Sequence, residues 1–114
     1  MTIVVGIFDN PKDLDETILK LASQGFEDTV LDQSIVAQEM GVSRLGAEHR
    51  DALLASFKKH LLKDYHVPAE ITKGYATSFF HDGKFVVVKT DAKGAEQAME
   101  IMRRSGASVV NRHG

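Results

Sequence analysis

The chain contains no cysteine. This absence excludes disulfide bonds, thiolate nucleophiles and cysteine-ligated zinc together, so any metal would need histidine and carboxylate ligands. The chain also has no large excess of charge of either sign, because 14 basic and 16 acidic residues leave a formal net charge of only -2. No overall field therefore attracts a polyanion, and we expect no nucleic acid as the main partner.

Long apolar runs are missing as well. The run at residues 3–8 is far shorter than the roughly 20 apolar residues that cross a bilayer, and no basic segment or small-residue cleavage site accompanies it. It predicts a buried strand rather than a secretion signal. We therefore expect a cytoplasmic protein without a membrane partner.

The familiar signatures of cofactor and metal chemistry do not occur in the sequence. There is no G-x-x-x-x-G-K, no G-x-G-x-x-G after a strand and no H-E-x-x-H. His49 and His60 are eleven residues apart, about 16 Å along a helix, which is too far for two ligands of one metal ion. We predict no cofactor, no metal site and no catalytic residue.

What the sequence does contain is one pattern that occurs near each end. An apolar run is followed by a capping residue, an amphipathic helix, a glycine and a second apolar segment. In the first copy the cap is Asp9 or Asn10, and Pro11 stands at the first helical position. The remaining positions of this copy are the stripe Leu14, Ile18 and Leu21, the closing Gly25, and the strand that begins at Val30.

The second copy begins with the β-branched run at residues 85–88. Thr90 or Asp91 is the predicted cap, and Gly106 ends the helix. Its apolar stripe consists of Ala95, Ala98, Met99 and Met102, and its second strand begins at Val109. Two β-α-β halves in one small chain predict a ferredoxin-like sandwich, with two helices on one face of a four-stranded antiparallel sheet.

We expect residues 1–114 to form a single α+β domain, with a helical insert at about 42–82. The length suits one core, and 43% hydrophobic residues supply enough apolar surface to form it. A first insert helix is predicted at residues 44–63 and a second from Pro68. Their apolar stripes are Leu54, Phe57 and Leu61, flanked by Leu53 and Leu62, and Ile71, Tyr75 and Phe79. Such a surface should dock on the sheet or on a second subunit, so we expect a homo-oligomer.

The stretch VPAEITKGYATSFFHDGKFVVV, together with the repeated pattern, resembles the bacterial heat-induced stress protein family typified by YflT, also described as general-stress-protein 17M-like. The matching positions are Pro68, Tyr75, Gly83, residues 85–88, Arg103, Arg104, Gly106 and Ala107. The predicted helix at 44–63 is longer and more basic than the family pattern. The resemblance implies a stress-associated protein of unknown molecular activity, and it carries no catalytic residue with it.

The segment KKHLLKDYH, residues 58–66, is one candidate binding site. Lys59 and Lys63, with hydrogen bonds from Tyr65 and His66, suit a small anionic ligand or another protein. The alternative is structural, because positive charge is also favourable at the C-terminus of a helix.

Tyr75 and His81 form a second candidate site, for a small apolar ligand held between the sheet and the insert. The alternative is a core position, since aromatic residues at helical spacing are usually buried. His81 and Asp82 could also orient each other, although no Ser or Cys lies in a nucleophile motif beside them.

Our first functional hypothesis is an oligomeric binding or interaction module associated with stress. A second is a small dimeric α/β-barrel enzyme in which Tyr or His acts as acid or base. A third is a metabolite-sensing regulatory domain.

Overall fold

The computed structural model describes residues 2–41, 50–81 and 83–114. The chain forms two compact units, of which one comprises Met1–Val30 with Gly83–Gly114 and the other Leu31–Asp82. The strands are β1 (Thr2–Phe8), β2 (Asp28–Leu31), β3 (Lys84–Thr90) and β4 (Val109–His113). The helices are α1 (Pro11–Ser23), α2 (Gln33–Glu39), α3 (Arg50–Lys59), a π-helical turn (His60–Asp64), α4 (Ala69–Phe80) and α5 (Ala92–Arg104).

The strands form one four-stranded antiparallel sheet in the order β2-β3-β1-β4. The β1–β3 register runs from Thr2↔Thr90 to Phe8↔Lys84, and β4 pairs with the other edge of β1 from Ile3↔His113 to Ile7↔Val109. This is the order of a ferredoxin-like sheet built from two β-α-β units. The predicted α+β fold, with extra helices between the halves, is confirmed.

Single capping residues set where α1 and α5 begin. The Asn10 side chain accepts a hydrogen bond from the Lys12 N–H at 2.8 Å, and Pro11 follows it directly. Asp91 caps α5 by accepting from the Gly94 N–H at 2.7 Å. Asn10 and Asp91 are therefore the members of each predicted pair that act as caps.

The core of the sheet unit lies between the sheet and the two helices α1 and α5. Its buried members are Val4, Phe8, Leu14, Leu21, Val86, Val88, Ala95, Ala98 and Met102. On α1, Thr17 is buried where the apolar stripe predicted Ile18, which is only half-buried. Burial of Thr17 is tolerated because its hydroxyl donates to the Asp13 carbonyl at 2.8 Å.

The helical unit begins with α2, a helix that the sequence patterns did not predict. Asp32 caps it by accepting from the Ile35 N–H at 2.8 Å, and Gly41 adopts a φ of 74° just after it ends. The Gln33 side-chain amide donates to the Phe79 carbonyl at 2.7 Å and ties α2 to α4.

The first predicted insert helix corresponds to α3 and the π-helical turn, and its residues 44–49 lie outside the described part of the chain. Leu53, Phe57 and Leu61 are its buried residues, so the predicted stripe is displaced by one residue from Leu54, which is half-buried. Phe57 stacks on Phe79 with ring centroids 4.3 Å apart.

In α4 the buried residues are Thr72, Tyr75 and Phe79, whereas Ile71 is 38% exposed. The prediction of Ile71 as a core residue was therefore wrong. Thr72 takes that place because its hydroxyl donates to the Ala69 carbonyl at 2.7 Å and leaves its methyl group for packing. Among the described residues, no helix has the length and apolar character that crossing a bilayer requires.

Candidate functional site: the His60 groove

The His60 ring lies between two carboxylates in the helical unit. Its Nδ1 is 2.8 Å from Asp64 Oδ2, four residues further along the same segment. Its Nε2 is 2.6 Å from Glu39 Oε2, on the last residue of α2. A neutral imidazole has one N–H and can donate to only one of these carboxylates, whereas the imidazolium form donates to both. The geometry therefore suits a protonated His60.

The electrostatic balance at His60 favours the same state. Partial burial disfavours the charged ring and by itself would lower the pKa of His60. The hydrogen bonds and charges of Asp64 and Glu39 outweigh this cost, and the pKa of His60 is raised above its ordinary value of 6.5. Near neutral pH the ring thus has a larger cationic fraction than a solvated histidine.

His60 forms part of a groove of about 280 Å³, here named the His60 groove. Its lining residues are Glu39, Met40, Ser56, Lys59, His60, Lys63 and Asp64. Lys59 and Lys63 are exposed and make no ion pair with any residue in the described ranges. Because the two carboxylates already accept from His60, the lysine ammonium groups are the charges available to a ligand.

The local sequence explains how these groups converge. Glu39 reaches the groove because Asp32 fixes the start of α2 and the helix is seven residues long. His60 and Asp64 begin and end the π-helical turn. His66 then adopts a left-handed conformation with φ 56°, and the Val67 N–H donates to the Leu61 carbonyl at 2.9 Å. These contacts end the helical segment directly beside the groove.

Only two of the four residues of the first predicted site lie in the His60 groove. Lys59 and Lys63 line the His60 groove, whereas Tyr65 and His66 do not belong to its lining. Tyr65 is half-buried just after the π-helical turn, and His66 is exposed. The positive φ of His66 assigns it a place in ending the helix, a position that glycine or asparagine usually occupies.

The residues of the second predicted site lie in different environments. Tyr75 is 5% exposed among the buried side chains of α4. His81 is exposed at the end of the same helix, where its backbone N–H donates to the Thr77 carbonyl at 3.0 Å. Asp82, the proposed partner of His81, lies outside the described residues. The apolar-ligand site and the enzyme hypothesis based on it stay predictions.

Within the described ranges, no group of three or more histidine and carboxylate side chains is placed to hold a metal ion. His49, the other histidine considered as a ligand, lies outside those ranges.

A second groove, of about 420 Å³, lies between α1 and α5 in the sheet unit. It is lined by Lys20, Ser23, Gln24, Gln97, Glu100, Ile101 and Arg104. Its polar groups are largely engaged with each other, since the Gln97 amide donates to Gln24 Oε1 at 3.0 Å and Arg104 Nε pairs with Glu100 at 2.7 Å. Its arginine is thus paired, and Lys20 is the lysine of this groove that makes no ion pair with the described residues, whereas the His60 groove has two such lysines, Lys59 and Lys63.

Glu39 is the member of the site that sequence reasoning missed. It lies 21 residues before His60, in a helix too short to give a clear periodic pattern. The one available signal was the capping residue Asp32 followed by a short apolar stretch and Gly41.

Comparisons of this chain with protein-family models, with curated proteins and with solved structures found no match. The resemblance to the heat-induced stress protein family stays a prediction.

Proposed function

We propose that this protein is a stress-associated binding module that takes a small anionic ligand in the His60 groove. One observation carries the proposal: Lys59 and Lys63, which make no ion pair with the described residues, share a groove with a histidine whose two ring nitrogens both face carboxylates. Because Glu39 and Asp64 already accept from His60, the two lysine ammonium groups are the cations that favour a negatively charged ligand, especially one with several acceptor oxygens.

The size of the groove supports a small ligand. Drug-sized ligands occupy pockets of roughly 300–1,000 Å³, and the His60 groove measures about 280 Å³. A compact oxyanion is of the right size, whereas a nucleotide would extend well beyond the lining residues.

Thermal unfolding in the presence of inorganic phosphate tests the binding proposal. A ligand that binds only the folded state raises Tm by an amount that grows with the logarithm of the ratio of its concentration to Kd. We expect phosphate to raise the Tm of the wild-type protein, and the double variant Lys59→Glu, Lys63→Glu to lose this shift. The matched control is Lys73→Glu, Lys93→Glu, which makes the same charge change at exposed lysines away from the groove. An equal shift in all three proteins would refute the proposal.

We further propose that the module acts as a homo-oligomer. Leu62 and Ile71 support this, because these large apolar side chains of the helical unit are 39% and 38% exposed. Light scattering during size-exclusion chromatography should give the mass of a dimer or a larger assembly. A monomer at every accessible concentration would contradict the oligomer and leave the anion proposal intact.

A further inference from the structure

We propose that the Glu39 carboxylate competes with a phosphate ligand for His60. In the free protein Glu39 accepts the hydrogen bond from His60 Nε2–H, and when phosphate binds one of its oxygens takes the place of Glu39. This inference rests on the proposed function. The ligand is a phosphate or a small phosphate monoester, and its binding requires the release of Glu39 from His60.

The two carboxylates on His60 are held in different ways. Asp64 belongs to the same helical turn as His60, so its contact with Nδ1 at 2.8 Å is a local one. Glu39 comes from the end of another helix. Both carboxylate side chains are exposed, 47% for Glu39 and 56% for Asp64, so the difference between them is that only Asp64 is held in the same helical turn as the ring. Asp64 therefore orients the ring, whereas Glu39 can rotate into solvent without disturbing the backbone of the π-helical turn.

The charges of the groove make this exchange favourable. When Glu39 holds Nε2, the nearby Lys59 and Lys63 have no carboxylate of their own among the described residues. A phosphate group has a charge of about -1.5 to -2 near neutral pH and several strong acceptor oxygens. One of its oxygens replaces the Glu39 carboxylate on His60, and the others face the lysines. The number of charge-assisted hydrogen bonds in the groove increases as a result.

The exchange also requires a protonated His60. The charged groups that face this ring are Asp64 from its own turn, Glu39 from α2, and the two lysines that line the same groove. Once the ring is neutral and its single N–H is donated to Asp64, Nε2 has no proton for a phosphate oxygen. Phosphate binding should therefore weaken as the pH rises through the titration of His60.

The test is the variant Glu39→Gln, studied by calorimetric titration with inorganic phosphate and, separately, with glycerol phosphate. The titrations are done about one pH unit below 6.5, the ordinary pKa of histidine, so that His60 is protonated even without the Glu39 charge that helps to raise its pKa. The amide keeps the size of the side chain but loses the charge that competes for His60. We expect Kd for phosphate to fall by about threefold to fivefold, roughly what a partly exposed charge pair is worth. The matched control is Glu70→Gln, an exposed glutamate of α4 outside the groove, and it should leave Kd unchanged. A decrease of Kd for inorganic phosphate alone assigns the site to the free ion, and a decrease for both assigns it to the phosphate group in general.

The outcomes separate the inference from the function on which it rests. If neither wild type nor Glu39→Gln binds phosphate, the proposed function fails and the inference fails with it. If wild type binds, the Lys59→Glu, Lys63→Glu variant does not, and Glu39→Gln binds no more tightly than wild type, the function stands and the competition by Glu39 is refuted.

Two further measurements test the inference if Glu39→Gln does not fold. Glu39→Asp keeps the charge but shortens the side chain by one methylene group, so it should also lower Kd. In the wild-type protein, the carboxyl carbon NMR signal of Glu39 should move toward that of a solvated glutamate as phosphate saturates the groove. A signal that stays in place at saturation would overturn the inference without any variant.

Discussion

At the scale of single residues, His60 is the group whose charge state most affects the groove. The pKa of His60 is raised in the folded protein, because Asp64 and Glu39 together outweigh the cost of partial burial. A histidine with a raised folded pKa contributes stability that is fully present below its ordinary value of 6.5 and is lost as the pH rises through the folded pKa. We therefore expect the free energy of unfolding of the wild-type protein to fall as the pH rises from 6.5 through the folded pKa of His60, and to fall by less in His60→Gln.

Urea unfolding at a series of pH values measures this difference. His113 acts in the opposite direction, since burial lowers its pKa, but its contribution is common to both proteins and cancels in the comparison. Identical pH profiles for wild type and His60→Gln would show that the two carboxylates do not stabilise the imidazolium.

A pair of glycines gives a second prediction at this scale. Gly106 has a φ of 101°, and a Cβ built there would lie 2.6 Å from Asp13 Oδ2. Gly106→Ala should therefore lower the free energy of unfolding by more than about 1 kcal/mol. Gly74, inside α4, has nothing within 4 Å of a Cβ, and Gly74→Ala should raise it by about 0.5–1 kcal/mol. Chemical denaturation of both variants decides the point, and equal effects of one sign would contradict it.

At the scale of elements, the placement of α2 determines whether His60 has its second carboxylate. Asp32→Ala removes the oxygen that accepts from the Ile35 N–H at 2.8 Å, and loss of a cap costs about 1 kcal/mol. As the helix frays, Glu39 spends less time at His60, so the pKa of His60 should fall toward its ordinary value. NMR titration of the His60 ring measures this pKa. Asp32→Asn is the matched control because asparagine caps equally well, and an equal fall in both variants would refute the link.

The elements also show what could be predicted from the sequence. Helix ends depend on single residues with few alternatives, so Pro11, Asp91, Gly25 and Gly106 locate them well. Burial is harder, because small polar residues that bond to their own backbone can replace apolar ones. Thr17 and Thr72 are buried in this way, at the expense of Ile18 and Ile71.

The candidate site was predictable only in part, for a related reason. Lys59 and Lys63 come from the same helical segment, so their shared face follows from their spacing. The contact of Glu39 with His60 joins positions 21 residues apart through a helix with no strong periodicity. No local pattern specifies such a contact, and it emerges only when the tertiary structure brings α2 beside the π-helical turn.

At the scale of the whole molecule, the first and last strands of the chain lie side by side. Both ends of the chain belong to the same sheet, where β1 and β4 are neighbours. The Thr2 hydroxyl donates to the Gly114 carbonyl at 3.3 Å, so the first and last described residues are adjacent. A short linker is therefore long enough to connect these two ends.

This adjacency leads to a prediction about circular permutation. A chain whose ends are joined by a short glycine linker and which is opened between Gly25 and Phe26 should fold, because Gly25 is exposed in the turn between α1 and β2. A second permutant with the same linker but opened between Gly6 and Ile7 interrupts β1, which pairs with β3 on one side and β4 on the other, and should not fold. Circular dichroism and cooperative urea unfolding distinguish the two. The β1–β4 register brings the two ends close enough for a short linker to join them, so the absence of a cooperative transition in the first permutant would contradict the prediction.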